Sequence, residues 1–179
     1  MSTNDFERVV RASYERNRLR NAIVLALPVL LFPMLGCCLG TAAQTACVVG
    51  ALLVIAGTWA LWRGQAAGRA WWPGLLAGMV PLALALAARS YGHVCLRGSC
   101  TSLCVPACAL GGVVAGLGVA YAARKNRAPA TYAVTGALAA MLVGCLGCSC
   151  VGFAGMASLV AGLVVSLGSL PLIHRHCKA

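Results

Sequence analysis

Six apolar runs, at about 22–38, 44–62, 70–88, 103–123, 130–148 and 151–173, take up nearly the whole chain. Each approaches the roughly 20 residues that a helix needs to cross about 30 Å of hydrocarbon. Lipid offers the backbone no hydrogen-bond partner, so only helices and closed barrels can span it. A barrel does not fit, because alternating polarity is absent and Ala, Leu and Gly dominate the runs. Only 9% of the 179 residues are charged and 61% are hydrophobic, whereas soluble domains carry about 25% charged residues. The expected fold class is therefore all-α: a polytopic membrane protein with six transmembrane helices over 21–173. A short amphipathic helix over 1–20 precedes them and a tail over 174–179 follows.

The formal net charge of +11 would suggest nucleic acid in a soluble protein, but here the positions of the charges matter more than their sum. Of the 14 basic residues, all but Arg89 and Arg97 fall before the first run, between runs two and three, between runs four and five, or after run six. The positive-inside rule then places both termini in the cytoplasm, with the other face toward a periplasm or another oxidising exterior. Trp59, Trp62, Trp71, Trp72, Tyr121 and Tyr132 fall at the same inner boundary, where amphipathic rings are expected to meet the headgroups. The stretch Met34–Cys37, "MLGC", loosely matches a lipoprotein cleavage box. The long segment ahead of it and the five runs behind it favour an uncleaved first span.

This orientation sorts the 11 cysteines. Cys37, Cys38 and Cys47 flank the first outer turn. Cys95, Cys100, Cys104 and Cys108 occupy the second outer loop and the start of run four. Cys145, Cys148 and Cys150 occupy the third, and only Cys177 faces inward. Outside the cytoplasm neighbouring thiols commonly become disulfides that tie loops together, although connectivity cannot be read from spacing. Thiolates also hold soft ions such as Zn or Cu(I), so a metal or redox sensor is the second reading of the same residues, with a soft-metal binding or transport protein and a membrane thiol–disulfide protein as the alternatives. Cys145, Cys148 and Cys150 form a CxxCxC spacing without a matching second knuckle, and His93 stands two residues before Cys95.

The run interiors carry no Asp, Glu, Lys, Arg or His, which counts against ion-coupled transport. Nucleotide-binding, metalloprotease and serine-hydrolase motifs are absent. Asp5, Glu7 and Glu15 are the only acidic residues and all lie in the amino-terminal segment, so the chain is not expected to be an enzyme. Small residues recur at helical spacing instead: Gly112 with Gly116, and Ala154, Ser158, Gly162 and Ser166. They predict close helix packing within the bundle or along a homo-oligomer seam.

The polar segment before run one reads as an amphipathic helix. Asn4 and Glu7 have the spacing of a capping box. Phe6, Val9, Val10 and Tyr14 share one face, and Glu7, Arg8, Arg11 and Glu15 occupy the rest. Such a helix can lie on anionic lipid or dock its apolar face in the groove of a cytoplasmic protein.

Residues Cys95 to Cys150 resemble the carboxy-terminal half of the six-span NrsF-type anti-sigma factors. The matching features are Cys95-Leu96-Arg97-Gly98, Pro106 early in run four, the basic turn from Arg124 to Pro129, the Gly/Ala-rich stretch from Gly136 to Gly144, and Cys148 or Cys150. The resemblance implies a membrane-held inhibitor of an extracytoplasmic-function sigma factor with no direct contact to nucleic acid. It further implies that the amino-terminal helix sequesters the sigma factor, and that Cys95 with Cys148 or Cys150 responds to heavy metal or oxidative stress.

Overall fold

The computed structural model describes residues 3–38, 43–91, 93–96, 99–125, 129–148 and 152–169. These form α1 (Thr3–Ala26), a 3-10 turn (Leu27–Leu30), α2 (Leu31–Cys38), α3 (Ala43–Arg63) and α4 (Gln65–Tyr91). A hairpin of β1 (His93–Leu96) and β2 (Ser99–Ser102) follows, then α5 (Cys104–Arg124), α6 (Pro129–Cys148) and α7 (Phe153–Gly168). The protein is helical apart from that hairpin.

Helices α3 to α6 are long and apolar enough to cross a membrane, and α7 is a shorter apolar helix of 16 residues. Their outward faces are apolar too. Ile55, Leu76, Leu110, Val134 and Val165 are each at least 60% exposed, a surface that water would penalise and lipid tails would cover.

The first run departs from expectation. Helix α1 passes through the expected boundary at residues 20 and 21 without a break and ends at Ala26. Pro28 then imposes a 3-10 turn before α2 resumes, because proline removes a backbone donor and crowds the preceding turn. Asn4 lies inside α1, which begins at Thr3.

Two parallel helix pairs form the centre of the bundle, and each closes on glycine. A Cβ on Gly78 of α4 would stand 2.8 Å from the Ala140 carbonyl oxygen of α6. A Cβ on Gly162 of α7 would stand 2.5 Å from the Ala109 carbonyl oxygen of α5. Backbones that approach this closely gain dispersion contacts, which drive helix association where no hydrophobic force exists between helices. Gly112 and Gly116 face Leu159 and Ser166 of α7, so the expected small-residue seam is used within the chain. Between the pairs, Gly111 of α5 lies against Pro81 of α4.

Helix α3 joins α4 through Gly64 alone. Gly64 has φ +64°, and a Cβ there would sit 2.7 Å from Nη2 of Arg18. The positive φ favours glycine, and a side chain there would have to displace the Arg18 guanidinium.

Candidate functional site

The bundle separates its chemistry by end. At one end, Arg18 donates from Nη2 to the carbonyl oxygen of Arg63 at 3.0 Å, supplying a cation and a donor to the last turn of α3. The Arg63 guanidinium stands 5.0 Å from the centroid of the Trp59 ring, and Nζ of Lys125 stands 5.2 Å from that of Tyr121. Both distances fall within cation–π range. Trp59, Trp62, Trp72 and Tyr121 are exposed, as the aromatic-boundary expectation requires. Trp71 and Tyr132 are not: both are buried in the bundle. They lie on the inward face, where Gly57 of α3 makes room for the Trp71 ring.

Sulfur collects at the other end. Cys108 of α5 is disulfide-bonded to Cys148 of α6, 40 residues further on, with Cα atoms 6.4 Å apart. Both half-cystines are fully buried. Cys104 lies one turn outward on α5 as a free, partly exposed thiol, and Cys145 lies one turn inward on α6 as a free, buried one. Cys108, Cys145 and Cys148 belong to one buried cluster with Leu159 and Leu163 of α7, against which Met141 and Met156 pack. Ser158 of α7 donates to its own Gly155 carbonyl at 2.9 Å and reaches the Val105 carbonyl of α5 at 3.4 Å. Cys47, in the first turns of α3, is free and exposed.

Of the expected sulfur residues, the fold brings Cys145 and Cys148 into one buried cluster and adds Cys108 as the bonded partner of Cys148, while Cys104 stands one turn from Cys108 on α5. Cys108 stood in the sequence among the outer cysteines, four residues after Cys104, but no spacing rule singled it out as half of a bridge. Cys95 and Cys100 are register partners across the hairpin. Cys37 and Cys38 end α2, with side chains outside the described set, and Cys150 lies outside the described residues. Among the described residues, no group of three or more Cys, His, Asp or Glu is placed to hold a metal ion. On α1, Glu7 and Tyr14 are exposed; the side chains of Phe6, Val9 and Val10 lie outside the described set.

Comparison with known protein families, with curated proteins and with solved structures gives no match.

Proposed function

We propose that this chain is a membrane-held, non-enzymatic regulator that reads the redox state outside the cell and passes it to a cytoplasmic partner. In this reading it threads the bacterial inner membrane six times with both termini inside. The first pass comprises the end of α1, the 3-10 turn and α2, and the sixth is α7 with the residues after it. The partner is an extracytoplasmic-function sigma factor held by the α1 face of Phe6, Val9, Val10 and Tyr14, with Glu7 beside it.

One observation supports this reading above the rest. A disulfide flanked by two free thiols occupies one end of the bundle, while the described arginines with assigned contacts occupy the other. Thiols respond to oxidant and to soft metal ions, and the apolar helices between the ends carry no groups for transporting an ion. The test is capture of the full-length, detergent-solubilised protein through a carboxy-terminal handle. Recovery of a sigma factor, lost in Val9→Asp and Tyr14→Asp, supports the proposal. Equal recovery in wild type and both variants, or no sigma factor at all, overturns it.

Cys104 beside the bridge favours a second reading, a membrane thiol–disulfide protein. Such a protein would convert many equivalents of added dithiol to disulfide per chain, whereas a sensor would exchange once.

A further inference from the structure

The bridge lies where the two glycine-seamed pairs meet. Pair α4/α6 is closed at Gly78 against Ala140 and pair α5/α7 at Gly162 against Ala109, in each case backbone against backbone. These contacts pack each pair closely along its own seam. Between them, Gly111 rests on Pro81 and Cys108–Cys148 is the one covalent tie among the described residues. Opening that bond would remove the covalent tie and leave side-chain packing alone to resist a shear of one pair against the other.

An external reductant cannot reach the bond directly, because both half-cystines have no exposed surface. Cys104 can be reached. It is free and partly exposed, and it lies four residues from Cys108 on the same face of α5. It is also the first residue of α5. Leu103 at the N-cap has no polar side chain, and the turn is held by the bond from the Ala107 amide to the Leu103 carbonyl at 3.1 Å. An end turn without a cap opens at low cost. Cys145, the other free thiol beside the bridge, is enclosed on the inner side.

We infer that Cys108–Cys148 is a reversible clasp between the two helix pairs, opened by a dithiol reductant acting through Cys104. The Cys104 thiolate attacks the Cys148 sulfur. A Cys104–Cys148 bond forms, the Cys108–Cys148 bond breaks, and Cys108 leaves as a thiolate that takes up the proton Cys104 gave up. One thiolate of the reductant then attacks Cys104, giving a mixed disulfide and releasing Cys148. The reductant's second thiol attacks that mixed disulfide and returns Cys104 as a thiol. In total, two electrons and two protons pass from the dithiol to the bridge, leaving the reductant as a disulfide and Cys108 and Cys148 as thiols.

This deepens the sensing half of the proposed function and rests on that half, not on the identity of the partner. Its test needs no partner, so its failure is distinguishable from failure of sigma-factor capture. The full-length protein in lipid nanodiscs is treated with a reduced thioredoxin-type dithiol, and alkylation at Cys108 and Cys148 is followed by peptide mass spectrometry. Wild type should expose both thiols with time; Cys104→Ser and Cys104→Ala should each slow this by about tenfold or more, and Cys145→Ser should leave the rate unchanged. In Cys108→Ser, mild oxidation should give a linked peptide joining Cys104 to Cys148. Reduction of Cys104→Ser as fast as wild type, failure to find the Cys104–Cys148 link, or thiols at 108 and 148 before any reductant is added overturns the inference.

Discussion

Arg18 of α1 donates from Nη2 to the Arg63 carbonyl oxygen of α3 across 3.0 Å, and it does so in the space a side chain at Gly64 would need. One guanidinium thus ties the amino-terminal helix to the tightest turn of the bundle. Arg18→Ala should lower thermal stability in detergent by about 1 kcal/mol, since a charged donor to an exposed carbonyl is only partly shielded from water. Gly64→Ala should cost at least about 1 kcal/mol through its positive φ and should also displace Arg18. The double variant should therefore lose less than the sum of the two single losses.

The glycine seams predict a contrast between seam glycines and one that faces open space. Gly78→Leu and Gly162→Leu must push backbone from backbone and should destabilise by about 1–3 kcal/mol or more. Gly118 faces open space, with nothing within 4 Å of a built Cβ. Gly118→Ala should leave the unfolding midpoint unchanged or raised, because alanine is the better helix former. Thermal scans of the three variants in one detergent check the ordering.

Trp71 is fully buried, and among the described residues its Nε1 has no hydrogen-bond partner. Its contribution is therefore volume, not polarity. Trp71→Phe should cost less than Trp71→Ala, for which about 3–5 kcal/mol is expected from the cavity. A loss from Trp71→Phe equal to that from Trp71→Ala would show that the indole N–H is used.

Orientation is measurable through Cys47, which is free and exposed at the sulfur end. A maleimide that cannot cross the bilayer, applied to intact cells after mild reduction, should label Cys47 and should reach Cys177 only after permeabilisation. Labelling of Cys177 alone would reverse the proposed orientation. Cys145, being buried, should stay unlabelled in either case.

Helix boundaries were largely legible in the sequence. The runs expected at 44–62, 103–123 and 130–148 lie within one residue of α3, α5 and α6 at each end, because charge and turn residues fix where an apolar helix must stop. Run one was less legible. Nothing in its apolar content showed that α1 would continue from the polar segment to Ala26 and break only at Pro28. Trp71 and Tyr132 show a second limit. Position along a helix gives depth, but which way a ring faces is decided by a neighbour such as Gly57, far away in sequence. The bond between Cys108 and Cys148 is of the same kind, since it depends on which helices come side by side and no local spacing encodes that.

The one-residue link at Gly64 also bears on how the chain enters lipid. With one residue between them, α3 and α4 turn back at a single corner, and in the proposed topology the two enter as one wedge. An epitope tag or fluorescent reporter spliced into that corner would prise the wedge apart, so reporters for this chain belong at its termini.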